Sequence, residues 1–142
     1  MRNEVSSGIL VFREVNDKRE YLFLKKGEDY LDFPKGHIEK GESEITAAKR
    51  ETLEESGLEI EPIPGFREMI NYHFKSNGVT VNKKVIVFVG EANNGSKPRI
   101  SSEHVGFKWL DYKTAMKELR YLTQKDLLEK TENFLNQKTV RR

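Results

Sequence analysis

The 142-residue sequence predicts an α/β protein with a mixed β-sheet between helices. Three observations point there. Ile9-Leu10-Val11-Phe12 is a continuous apolar run of the kind found in strands covered on both faces. Asn77-Gly78 sits between two strand-like runs, as in a hairpin. Residues 43–56 and 123–136 carry apolar or small side chains at helical spacing.

Taken in order, 6–15 reads as a buried strand, 16–18 as a turn and 21–24 as its hairpin partner. Residues 27–31 form a loop leading into Asp32-Phe33-Pro34-Lys35-Gly36-His37. The helix over 43–56 has Ser43 as N-cap, Glu42 and Glu44 at its positive end, and Gly57 just beyond its last turn. Ile45, Ala48 and Thr52 are the side expected to pack on the sheet. Pro62, Pro64 and Gly65 break the chain before strands at 66–74 and 79–89. A surface loop at 93–98 precedes a strand at 105–110, whose Phe107 and Trp109 are expected in the core. Asp111 starts a helix through Leu119. Thr123 and Asp126 resemble a capping box for a last helix to about Asn136, with Leu127, Leu128, Thr131, Phe134 and Leu135 as its apolar stripe. Residues 138–142 read as a frayed basic tail.

Composition narrows the function. The length suits one domain spanning 1–142 and is enough for a real core. With no cysteine, a thiol nucleophile, a thiolate zinc site and a disulfide framework are all excluded. No apolar run approaches membrane-spanning length, and the first residues lack the order of a signal peptide, so a cytoplasmic location is expected. A net charge of +2 speaks against a stable nucleic-acid partner. Monomer is the default state.

Glu51, Glu54 and Glu55 fall within an arc of about 100° on the helix. Carboxylates this close repel one another unless a cation lies among them, and Arg50 supplies only one charge. Hard cations such as Mg²⁺ take such oxygen ligands, bridge phosphate oxygens and acidify a bound water; Mn²⁺ is a possible substitute.

The helix also fits a longer pattern, G-x5-E-x7-R-E-U-x-E-E-x-G-U, where U is a bulky apolar residue. Gly36, Glu42, Arg50, Glu51, Glu54, Glu55, Gly57 and Leu58 match it at the right spacings; Thr52 at the first U position is a mild departure. This is the Nudix box, and the chain resembles a Nudix hydrolase over nearly its whole length. The resemblance implies an α/β/α sandwich and a contribution from the Gly36 carbonyl to the metal. Outside the box, Phe33-Pro34-Lys35-Gly36-His37, the 65–72 and 83–88 segments, and Ser102-Glu103-His104 with Trp109, Tyr121 and Lys125 are similar to the asymmetrical diadenosine tetraphosphate hydrolases of the animal and archaeal type.

That resemblance implies a small-molecule nucleotide substrate and further roles. Lys35, His37 and one of Lys83 and Lys84 would meet the polyphosphate, with Lys84 turned inward by register with the family. Tyr72 and Tyr121 would stack on a base. Glu103 would join the metal ligands or act as general base, and His104 would bond phosphate or orient its loop. Arg50 would orient a glutamate, and either Glu54 or Glu103 would take the proton from the attacking water. The products would be ATP and AMP. Two readings compete: hydrolysis of nucleoside triphosphates or of triphosphorylated RNA 5′ ends, guided by Lys97, Arg99 and the tail, and a silent module that only senses nucleotides.

Overall fold

A computed structural model describes residues 1–27, 30–93 and 95–140. Residues 28 and 29 of the first loop, residue 94 of the 93–98 loop and residues 141–142 of the expected tail lie outside the described residues. The elements are β1 (Arg2–Val15), β2 (Lys18–Lys25), β3 (Leu31–Asp32), β4 (Lys35–His37), α1 (Glu44–Ser56), β5 (Glu68–Ser76), β6 (Val79–Glu91), β7 (Gly106–Asp111), α2 (Tyr112–Glu118) and α3 (Leu122–Val140).

The strands form one mixed sheet. Its main path runs β3-β2-β1-β6-β5, with β4 on β1 and β7 on β2. β1 and β6 are parallel from Arg2↔Val81 to Phe12↔Glu91, and the other pairings are antiparallel. The β1–β2 hairpin is tight near its turn, where Asn16 and Asp17 both take positive φ. Beyond Phe12↔Tyr21 the two strands part. β4 then takes over the free edge of β1, opposite Ser6, Ser7 and Gly8, and β3 takes the edge of β2 at Leu24 and Lys25. Residues 31–37 thus fill a wedge opened by the hairpin, which carries Lys35, Gly36 and His37 to the mouth of the sheet.

Strand alternation sorts the core into two layers. Ile9, Val11, Leu22, Leu24, Ile86 and Phe88 pack on the α1 side with Ala48, Leu58 and Ile60. Leu10, Phe12, Tyr21, Phe23, Val85, Val87 and Val89 pack on the other side, beneath Ala115, Leu119, Leu127, Leu128 and Leu135 of the α2–α3 region. The helix–sheet–helix arrangement expected from the pattern is therefore present. No helix among the described residues is long and apolar enough to cross a membrane.

Several details differ from expectation. Ile45 is 47% exposed, and Ala47 joins Ala48 and Thr52 on the buried side of α1. Phe107 is exposed rather than in the core, because β7 is an edge strand. Trp109 is half-buried beneath the Arg13 guanidinium, 4.2 Å from its ring centroid. α3 starts at Leu122, so Thr123 lies inside its first turn instead of capping it. Gln124 performs that task, its Oε1 accepting from the Tyr121 backbone N–H at 3.2 Å. The helix also continues through 138–140, where a frayed tail was expected.

Candidate active site

α1 is delimited by local chemistry. The Ser43 hydroxyl accepts from the Thr46 N–H at 3.1 Å, and Gly57 ends the helix at φ 75°. Its first turn is tied to the sheet by Ser7, whose hydroxyl donates to the Glu44 carbonyl at 2.7 Å. Thr52, the departure from the family pattern, is fully buried against the sheet. The opposite face carries the acids.

Arg50 is the organiser of that face. Its guanidinium donates to Glu42 at 2.7 and 2.9 Å, to Glu51 at 2.8 Å and to Glu54 at 3.2 Å, and to the His37 carbonyl at 3.0 Å. The Glu42 carboxyl is held down to about 2 by these Arg50 bonds. Glu42 also accepts from the Glu39 N–H at 2.9 Å, which closes the loop ahead of the helix.

Glu51 lies against Gly36. A Cβ at Gly36 would fall 2.1 Å from the Glu51 carboxyl carbon, so only glycine lets the β4 backbone approach this side chain. Glu55 is the buried member, its side chain 9% exposed. Its Oε1 accepts from the Lys35 backbone N–H at 3.1 Å. Burial pushes this carboxyl up to about 7, and the neighbouring Glu51 charge adds to the rise. Glu54 is the open member, with its side chain 57% exposed.

The donor set fits a hard divalent cation: carboxylate oxygens in mutual repulsion, one of them desolvated, beside a backbone stripped of Cβ. Among the described residues no three acids or imidazoles already converge into a cage. Arg50 sits among Glu42, Glu51 and Glu54, while Glu55 turns to Lys35.

The raised Glu55 carboxyl has a consequence for stability. Between its ordinary value of 4.5 and about 7 the folded chain holds the proton more tightly than the unfolded one. This group's contribution is therefore complete below about 4.5 and is lost as pH rises through about 7. In cation-free buffer, Glu55→Gln is expected to lose less melting temperature than the wild type between about pH 4.5 and about pH 8. Identical profiles for the two proteins would contradict the desolvated carboxyl.

Next to the acids lies a cavity of about 570 Å³ whose walls include Tyr30, Tyr72, Phe74, Tyr121 and Ile70. Tyr30 and Tyr121 meet edge-on, with ring centroids 5.8 Å apart. Lys35 and Asp32 also line it. The Lys35 ammonium is 2.7 Å from Asp32, whose carboxylate also accepts from Tyr30 at 3.3 Å and from the Phe33 N–H at 2.9 Å. Burial opposes the Lys35 charge, but the Asp32 carboxylate outweighs it and holds the ammonium above its ordinary value.

The structure brings together Lys35, Gly36, Arg50, Glu51, Glu54 and Glu55, and sets Tyr72 and Tyr121 in the adjoining cavity. The lysine pair is reversed from expectation. Lys83 is buried, 3.5 Å from Glu4, and Lys84 is exposed. Lys83 pairs across the sheet with Tyr72 and with Glu4, so this register points it to the cavity side and sends Lys84 to the other face. His37 is exposed, with Nε2 3.4 Å from Glu4. Glu103 is exposed beside His104, whereas His104 itself is buried next to Glu55.

Sequence reasoning misses Asp32 and Tyr30 as site residues. Asp32 had one available signal, an acid three residues before Lys35 in a segment otherwise bound for the core.

A family model described as NUDIX domain matches residues 3–131. Over 140 residues the chain is 31% identical to the asymmetrical bis(5'-nucleosyl)-tetraphosphatase of Sus scrofa, an overlap of 90% of this chain and 92% of that protein. It is 26% identical over 151 residues to the RNA pyrophosphohydrolase of Pelagibacter ubique (strain HTCC1062), covering 96% of this chain and 94% of that one. Among solved structures, a C. elegans Ap4A hydrolase binary complex matches with a TM-score of 0.84 at 29% identity, covering 94% of this chain and 98% of that chain.

Proposed function

The chain belongs to the NUDIX domain family, and from that premise we propose that it is a divalent-cation-dependent hydrolase that splits diadenosine tetraphosphate asymmetrically into ATP and AMP. One observation carries the choice. Lys35 joins two regions: its backbone N–H bonds the acid Glu55, and its side chain lines the aromatic cavity. A ligand spanning both has a charged chain at one end and a flat ring at the other. The similarity to the Sus scrofa tetraphosphatase supports the same reading.

In this proposal Glu51, Glu54, Glu55 and the Gly36 carbonyl hold Mg²⁺, or Mn²⁺ in its place. When bound, the cation neutralises charge on the phosphate oxygens and acidifies a water. Arg50 fixes the rotamers of Glu51 and Glu54 by charge-assisted bonds. Glu54, the most exposed of the helical acids on the box, takes the proton of the attacking water; Glu103, exposed in its loop, is the alternative base. The water oxygen bonds to one phosphorus as a bridging P–O bond breaks. Lys35 and Lys83 meet the polyphosphate with localised charge, and His37 does so from the rim. Tyr72 and Tyr121 stack on adenine. The domain spans 1–142 and acts as a cytoplasmic monomer on a small nucleotide, without a stable nucleic-acid partner.

Incubation with MgCl₂ and diadenosine tetraphosphate is expected to release ATP and AMP in equal amounts. Two ADP per substrate would overturn the proposal. So would inertness toward this substrate beside rapid cleavage of nucleoside triphosphates or triphosphorylated RNA, the activity that the name of the Pelagibacter relative suggests. Tyr121→Ala is expected to raise KM by roughly 5- to 150-fold with little change in kcat, since a base–aromatic stack is worth about 1–3 kcal/mol. A lowered melting temperature with unaltered kinetics would instead make Tyr121 a packing residue.

A further inference from the structure

His104 has the only imidazole of the three in this chain that is buried, its side chain 1% exposed. Its Nδ1 lies 3.1 Å from the Ser101 hydroxyl. Its Nε2 is buried without a hydrogen-bond partner and lies 3.9 Å from Oε1 of Glu55. The segment that carries it is tied to the same residue: the Ser101 N–H donates to the Glu55 carbonyl at 3.2 Å, and the His104 N–H to the Ser101 carbonyl at 3.1 Å. A short turn is thus fastened to the last turn of α1 and aims one unpartnered ring nitrogen at the Glu55 carboxylate.

The geometry points to His104 as a positioning residue: its Nε2–H, selected by the Ser101 hydroxyl on the other ring nitrogen, holds Glu55 in the orientation a divalent cation requires. The inference rests on the reading of α1 as the cation site, and it replaces the expectation that His104 touches phosphate. An ionised Glu55 can only accept a hydrogen bond. A bare Nε2 would face it lone pair to lone pair, so the proton belongs on Nε2 and the serine hydroxyl donates to Nδ1. A neutral imidazole has one N–H to place, and the Ser101 hydroxyl on Nδ1 decides where it goes. The Lys35 N–H already bonds Oε1 of Glu55, and His104 faces that same oxygen. Both donors converge on Oε1, leaving the second carboxylate oxygen for the cation. Partners of this kind fix a ligand's direction and raise its affinity for the metal. The 3.9 Å separation has to close to the usual bonding distance of roughly 2.9 Å for this bond to form.

Two measurements test this. In metal-free protein in alkaline buffer, ¹H–¹⁵N spectra of ¹⁵N-histidine protein are expected to show His104 as the Nε2–H tautomer; the Nδ1–H tautomer would overturn the inference. In calorimetric titration with Mg²⁺ alone, His104→Ala is expected to weaken binding by about tenfold or more. His104→Gln, whose amide N–H reaches the place of Nε2, is expected to recover most of that affinity. Unchanged affinity in His104→Ala, or Gln as weak as Ala, would reduce the imidazole to packing. Glu51→Gln separates the two readings. Full Mg²⁺ affinity in that variant would sink the cation site itself. Loss there with full affinity in His104→Ala would overturn the positioning role alone.

Discussion

Glu54→Gln is expected to cut turnover by roughly a thousandfold while leaving the fold as stable as before. The two halves of this result come from the same placement. The Glu54 side chain is 57% exposed, and its partner in the structure is Arg50 at 3.2 Å. An exposed pair of this kind is worth about 0–1 kcal/mol, so the melting temperature should scarcely move. The amide keeps the shape of the carboxylate but cannot accept a proton, and losing a general base costs about 10²- to 10⁴-fold. Weakened cation binding adds to the loss. Steady-state kinetics beside a thermal melt decide the matter: a near-normal rate would remove Glu54 from the chemistry, and a collapsed melting temperature would make it structural.

Gly36→Ala is expected to be the second severe variant, again in activity more than stability. The new Cβ would lie 2.1 Å from both Cδ and Oε2 of Glu51. These atoms end a flexible side chain, so the fold escapes the overlap by swinging Glu51 aside. The escape removes a carboxylate from its station, and a displacement of about 1 Å at a reacting centre costs about 10²-fold. Gly8→Ala is the contrasting control. Its Cβ would lie 2.2 Å from the Pro34 carbonyl oxygen, which is backbone and cannot swing away. That variant is expected to lose about 1–3 kcal/mol of stability by overpacking. If Gly36→Ala instead melted like Gly8→Ala and its surviving folded fraction had full specific activity, the close approach of Gly36 to Glu51 would have no catalytic meaning.

What could be read from the sequence was local. Ser43, Gly57 and the acid spacing specify α1 within one helix, and Asn77-Gly78 specifies one turn, so neighbours along the chain suffice. The misreadings arise where a distant strand decides. Which of Lys83 and Lys84 faces the cavity depends on β6 pairing with Glu4 of β1 and Tyr72 of β5, a phase absent from the residues themselves. Asp32 becomes a partner of Lys35 only because the β1–β2 hairpin splays and admits residues 31–37. The direction of His104 is set by the attachment of Ser101 to Glu55. Ile45 has the right spacing on α1 but is half exposed, because helical periodicity says which side is apolar and not what packs against each residue on it.

The long parallel seam between β1 and β6 bears on how the protein is made. Arg2 cannot meet Val81 until residue 81 has left the ribosome, nor Phe12 meet Glu91 until residue 91 has. A nascent chain therefore carries all of α1 while its central strand still shows a bare edge, the condition in which strands seek foreign partners. A divalent cation at the proposed site would favour the folded state alone, since a ligand stabilises the state that binds it.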